Sequence, residues 1–347
     1  MWWRKKSCGL QNRQLPGADD EWEVLALSEN WLVLGAGGFV GSELSVRLLN
    51  NGGLCHRLVA VDRHRPSWLE RFGDSSAIVF YEEDWLELEP GQIEPIISGS
   101  DVWVISASVL PFDVDEAVHS ANERIAEKVV HLYDSRRRAG SPPFVIFISS
   151  SSIYGFPTEL PLSENSRDAP VDKYGESKLA AESIYRRIDP ENLAIIRPRT
   201  VVGSGRGGTL RLLARLSRMR APIPVPPETV ILQLCHVQDL VSLIVHLGSF
   251  RISGLWPAFS NNARSLVGYI RGAKHLETRS KKTVHVPLWT ESIFIRIINL
   301  GLGPFTAWHV AGFFRSHVFL ETWVPPGFRP AHSCQQAFDD SLGSHNG

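Results

Sequence analysis

Three observations predict an α/β protein built on a doubly wound parallel sheet, with a smaller, partly discontinuous C-terminal substrate region. Short apolar runs alternate with amphipathic stretches up to Pro198. A glycine cluster follows the first run directly. Beyond Pro198 the alternation loosens and prolines accumulate.

The runs are WLVLGAGG from Trp31, RLVAVD from Arg57, AIVFY from Ala77, DVWVISA from Asp101, FVIFIS from Phe144 and LAIIRP from Leu193. Each is short, rich in Val and Ile and apolar on both faces, as a parallel sheet covered by helices requires. Between them, Gly41 to Leu49, Asp115 to Ser135 and Asp172 to Arg187 read as helices. Strand and helix in alternation give the doubly wound class. After Pro198, GSGRGG is a loop, TLRLLARLSRM a basic amphipathic helix, and APIPVPPET too proline-rich for a helix or a central strand.

Composition narrows the function. The chain has 347 residues, 43% of them hydrophobic and 21% charged, and 36 basic against 37 acidic residues leave a net charge of -1. That balance offers no electrostatic footprint for nucleic acid. Cys8, Cys55, Cys235 and Cys334 are far apart and match no metal-ligand or disulfide spacing, which fits a reducing, cytoplasmic setting and no metal. The N-terminus has basic residues but lacks the apolar core of a signal peptide. Ser292 to Phe314 is apolar, yet Arg296, Asn299, Pro304 and His309 interrupt it, so it reads as a buried or pocket-lining helix rather than a membrane span. An interfacial contact by that segment stays open.

LVLGAGGFVGSEL sets Gly35, Gly38 and Gly41 between the first strand and the first helix, with Phe39 and Val40 inside the turn. Such a turn brings backbone close to a pyrophosphate, and the helix N-terminus offers it free N–H groups and a positive dipole end. The spacing is GxxGxxG, because Val40 stands where the commoner fingerprint has glycine. Asp62 ends the second strand, where a carboxylate can accept the hydroxyls of an adenosine ribose; an ordinary strand-end acid is the alternative. An acid there disfavours a 2'-phosphate, so NAD is expected over NADP, although Arg63 and Arg65 leave NADP open. Asp84, after the third strand, either faces the adenine or is a solvated loop acid.

Tyr174 and Lys178 lie four residues apart in DKYGESKLAAESIY and share one helix face. A free tyrosine titrates near about 10, and lowering that by about three units takes roughly 4 kcal/mol of differential stabilisation. A neighbouring ammonium and a cationic cofactor in a water-poor site supply stabilisation of that sign. Tyr174 can then exchange a proton with a substrate hydroxyl while hydride moves to or from a nicotinamide.

Taken in order, the glycine loop, Asp62, VWVISAS, SSSSIYG, the Tyr174–Lys178 pair, IIRPRTVVGSG, CHVQDL and WVPP resemble the extended short-chain dehydrogenase/reductase family, also called the NAD-dependent epimerase/dehydratase family. The resemblance runs from about Trp31 to Leu342 and implies a Rossmann domain over residues 30–198 plus 230–255. Residues 199–229 plus 256–342 would bind substrate, with 1–29 an N-terminal extension and 343–347 a tail. It further implies Tyr174 as acid/base, Lys178 on the nicotinamide ribose and Ser150 on the reacting oxygen. Ala107 and Pro198 would border the cofactor, and Asp239 would have a structural or substrate-loop role.

The implied substrate is a nucleotide-activated sugar, reduced or epimerised. Dehydration is disfavoured because Ser151 stands where a dehydratase has an acid. Leu232 replaces an arginine that commonly holds the diphosphate, and Arg206, Arg211, Arg215 and Arg218 can substitute or form a solvated helix face. Ser151 itself would be a further substrate contact. Two alternatives stand beside this reading: a reductase or dehydrogenase of a lipid or steroid-like alcohol, suggested by Leu232 and the apolar late segment, and a non-catalytic dinucleotide sensor. Family analogy also suggests a homodimer.

Overall fold

A computed structural model describes residues 29–51, 54–73, 75–108, 116–204, 223–274, 283–291, 293 and 314–343. Most of the N-terminal extension, the arginines 206, 211, 215 and 218, most of the late apolar segment and most of the tail lie outside the described residues.

Seven parallel strands form the central sheet. They are β1 (Glu29–Leu34), β2 (Cys55–Asp62), β3 (Ile78–Glu82), β4 (Val102–Ile105), β5 (Phe144–Ile148), β6 (Leu193–Pro198) and β11 (Gly254–Ala258). Their spatial order is β11-β6-β5-β4-β1-β2-β3. The order reverses at β1, which lies between β2 and β4, so the crevice of a doubly wound sheet opens at the C-terminal ends of β1 and β4. The six predicted strands are all present. The seventh, β11, continues past residue 255, where the sequence divides cofactor from substrate region, and pairs with β6 through Ala258 against Pro198.

Alternation along each strand supplies two apolar faces. Trp31 and Val33 of β1 join Val104 and Ile146 under α1 (Phe39–Asn50) and α5 (Val237–Phe250), which contribute Leu44, Leu48, Leu240 and Leu247. Leu32 and Leu34 face the other side with Trp103, Ile105 and Phe147. That side is covered by α2 (Pro90–Ile97), α3 (Glu116–Arg138) and α4 (Lys173–Tyr185). The α2 helix, which the alternation of runs does not predict, starts on a capping box between Glu89 and Gln92 with Pro90 at its first position.

A second, smaller core holds Val202, Ile223, Val225, Leu234, Val267, Tyr269, Ile270, Cys334 and Phe338. It is framed by three two-stranded sheets. β10 (Leu234–His236) pairs with β7 (Thr200–Val202), β12 (Arg264–Ser265) with β9 (Ile231–Leu232), and β13 (Thr283–His285) with β8 (Ile223–Val225). Two further helices, α6 (Leu266–Gly272) and α7 (Cys334–Gly343), pack into it. No helix among the described residues is long and apolar enough to cross a membrane.

Candidate active site

Every described candidate outside the helices follows the C-terminal end of a sheet strand: Gly35 after β1, Asp62 on β2, Asp84 beyond β3, Ala107 after β4, Ser150 after β5 and Pro198 on β6. Parallel topology therefore gathers residues far apart in sequence at one edge.

The glycine loop is built by exclusion of side chains. Gly35 has φ +82°, and a Cβ there would stand 2.6 Å from the Ala107 nitrogen. A Cβ on Gly41 would overlap the Gly35 carbonyl oxygen and lie 2.8 Å from its carbon. Gly38 is the N-cap of α1, makes no side-chain cap, and no acid stands in the first turn, so the positive end of the helix dipole is not met by a carboxylate of that turn. Phe39 and Val40 pack part-buried against the core, which explains how Val40 replaces a glycine here. The Ala36 carbonyl accepts from Trp68 Nε1 at 3.0 Å and from Ser42 Oγ at 3.1 Å, fixing the loop from outside.

Asp62 reaches into that loop. Its Oδ2 accepts the Gly37 N–H at 2.8 Å and its Oδ1 the His64 N–H at 3.3 Å. Gly37 is thus a loop residue that the GxxGxxG spacing passes over, although the doubled glycine of GAGGF was its signal. Arg63 is exposed, and the Arg65 guanidinium lies 5.9 Å from the centre of the Phe80 ring. Asp84 Oδ1 accepts the Leu86 N–H at 3.0 Å and forms a turn. The Ala107 N–H donates to the Leu34 carbonyl at 2.8 Å. A glycine cradle at a helix N-terminus beside a carboxylate fits a dinucleotide.

The four serines divide their work. Ser149, directly after β5, is buried and donates to Glu182 Oε1 at 2.6 Å. Ser150 caps a single turn, Ser151–Tyr154, its Oγ accepting from the Ser152 N–H at 3.1 Å and lying 2.8 Å from Ser152 Oγ. Ser151 accepts from Arg199 Nη1 at 3.1 Å. The turn meets the start of α4, where a Cβ on Gly175 would lie 2.9 Å from the Ser152 carbonyl oxygen. This contact brings the segment bearing Ser150 to the helix bearing Tyr174.

Asp172 caps α4 by accepting the Gly175 N–H at 2.6 Å. Tyr174, in its first turn, is half-buried, whereas Lys178 is 1% exposed. The Lys178 Nζ donates to the Ile148 carbonyl at 3.0 Å and lies 5.9 Å from the centre of the Tyr174 ring. Burial pulls the Lys178 ammonium down to about 7, against the opposing pull of Glu182.

Asp239 is a structural tie. Oδ1 accepts the Ala331 and His332 N–H groups at 3.0 and 3.1 Å, and Oδ2 accepts Ser260 Oγ at 2.5 Å. It thereby fastens α5 to the segment that follows β11 and to the chain before α7. The sequence did not single out Arg199, which lies buried beside Ser151.

The family profile described as "NAD dependent epimerase/dehydratase family" matches residues 31–251. The UDP-glucose 4-epimerase of Mycolicibacterium smegmatis is 28% identical over 179 residues, 50% of this chain and 56% of that enzyme. The chain therefore spans about half the length of that relative. The ceramide reductase of Caulobacter vibrioides is 25% identical over 268 residues, 74% of this chain and 73% of that protein. Among solved structures, the UDP-glucuronic acid 4-epimerase of Bacillus cereus in complex with UDP-glucuronic acid and NAD superposes with a TM-score of 0.66. It is 19% identical, with 91% of this chain and 98% of that chain covered, which is a likeness of fold. With the reversed strand order, the glycine cradle and the profile over residues 31–251 in agreement, the chain belongs to the NAD-dependent epimerase/dehydratase family.

Proposed function

We propose that this chain oxidises, reduces or epimerises a secondary hydroxyl or keto carbon of a nucleotide-activated sugar, with Tyr174 as the acid/base. The observation that carries the reading is the buried Lys178 ammonium below the Tyr174 ring, held by the carbonyl at the end of β5. The similarity to a UDP-glucose 4-epimerase supports the sugar-nucleotide class.

The glycine loop, with Gly35, Gly38 and Gly41, would hold the pyrophosphate of NAD, and Asp62 the adenosine ribose. Bound NAD supplies a hydride acceptor and donor. Lys178 favours the phenolate of Tyr174, so that Tyr174 can take the proton of a substrate hydroxyl at neutral pH. The Ser150 hydroxyl, whose oxygen accepts from Ser152, keeps its own proton to donate to the reacting oxygen, stabilising charge that develops there.

Tyr174→Phe should keep NAD affinity and lose turnover by about 10²–10⁴-fold. Unchanged turnover would remove Tyr174 from the chemistry. Thermal-shift titration of the NAD-loaded protein with UDP, dTDP and GDP sugars tests the substrate class. Absence of any nucleotide-dependent shift would assign the site to hydrophobic alcohols, the class of the ceramide reductase relative.

A further inference from the structure

Arg199 is 5% exposed and meets no carboxylate among the described residues. Its Nε donates to the Gln233 carbonyl at 3.4 Å, and its Nη1 reaches Ser151 Oγ at 3.1 Å and His317 Nδ1 at 3.0 Å. Nη2 has no acceptor among the described residues.

The groups around this guanidinium are donors as well. His317 presents Nδ1 as acceptor to Arg199, so its proton sits on the buried Nε2, on the side of the Gly155 carbonyl. Gln233 is fully buried, and its Oε1 accepts the Phe319 N–H at 2.8 Å, which leaves Nε2 an unpartnered donor. Burial and the neighbouring Arg199 charge push His317 down to about 3, so it adds no second charge. The Gln233 Nε2 donor, the Arg199 Nη2 donor and a positive charge that meets no carboxylate among the described residues are costly to bury unless an anion joins them. A strut between strand ends would need the hydrogen bonds and not the charge.

Position says what the anion is attached to. Ser151 follows Ser150, and Arg199 follows Pro198, so the guanidinium borders the reacting centre by way of its contact to Ser151. A sugar that reacts at a ring carbon carries its exocyclic carbon on a neighbouring atom, and oxidation of that carbon makes a carboxylate. We propose that Arg199, flanked by Gln233 and His317, binds a carboxylate on the sugar, so that the substrate is a nucleotide-linked uronic acid rather than a neutral hexose. This rests on the nucleotide-sugar reading of the same site.

Isothermal titration of the NAD-loaded protein decides it, using the nucleotide that stabilises the protein and comparing its glucose with its glucuronate conjugate. The wild-type chain should bind the glucuronate on the order of 10- to 100-fold tighter, as a charge-assisted pair implies. Arg199→Gln should bring the two within about threefold, and Arg199→Lys should keep part of the preference. Equal wild-type affinities, or a preference that survives in a folded Arg199→Gln protein, would overturn the proposal while leaving the nucleotide-sugar reading intact. Failure of every nucleotide sugar to bind would overturn both. If Arg199→Gln does not fold, the wild-type ratio of the two affinities is decisive by itself.

Discussion

Arg197 on β6 and Glu182 on α4 form a two-point ion pair, Nε and Nη2 reaching the two carboxylate oxygens at 2.9 and 2.7 Å. Both side chains are at most 1% exposed. Arg197 also holds Asp168 at 2.6 and 3.1 Å, while Glu182 accepts from Ser149. One network thus locks the ends of β5 and β6 to the helix bearing Tyr174 and Lys178.

Removing one member should therefore cost more than the pair is worth. Glu182→Leu alone leaves a buried guanidinium short of a partner, Arg197→Met alone leaves a buried carboxylate short of one, and each should destabilise by about 3–5 kcal/mol. Glu182→Leu with Arg197→Met should recover much of that loss. Urea melts of the two single variants and the double variant would measure the coupling. Additive losses would show that the network is not cooperative.

Gly41→Ala tests the cradle. The new Cβ would push into the Gly35 carbonyl, and with it the loop that faces the cofactor phosphates. NAD affinity should fall by about tenfold or more, since one misplaced contact costs about 1.4 kcal/mol per factor of ten. Equilibrium dialysis checks this, and an unchanged affinity would remove the loop from the binding site.

The sheet was legible because both strand faces are apolar and the runs are short, so all six predicted strands are present. β11 was harder to read, since Gly254 and Pro257 dilute its apolar pattern and only pairing with β6 makes it a strand. The glycine loop and the Tyr174–Lys178 face were readable from local spacing. Arg199 was not, because its burial depends on Ser151, Gln233 and His317, which lie elsewhere in the chain. Asp239 was legible as a motif residue, but its ties to Ala331 and Ser260 are visible only in three dimensions.

Asp62 should set cofactor choice. Its carboxylate sits against the Gly37 N–H, where the 2'-phosphate of NADP would bring a second negative group. NAD should bind at least about tenfold tighter than NADP, a like-charge effect of the size expected near a surface. Asp62→Ser should narrow the gap, and exposed Arg63 would then be free to receive the phosphate. Competitive titration of both dinucleotides reads the result; tighter NADP binding by the wild type would refute the assignment.

Lys178 makes stability and function pull in opposite directions. Its ordinary value is 10.5, and burial lowers it to about 7 in the folded chain. Between those two values the unfolded chain holds a proton that the folded chain has released. Stability must therefore rise with pH across that window, and below it the penalty is constant because both states are protonated. Lys178→Met removes the penalty and leaves the Ile148 carbonyl without its donor, which takes back about 1 kcal/mol. The variant should be more stable than the wild type by about 2–4 kcal/mol near neutral pH, allowing for relaxation around a buried charge. That advantage should shrink steadily towards pH 10, while turnover is lost throughout. Thermal melts of both proteins at stepped pH give the difference curve, in which the other titrating groups cancel. An advantage that grew with pH would mean that the folded state favours the charged ammonium, and that Lys178 needs no cofactor or substrate to hold its proton.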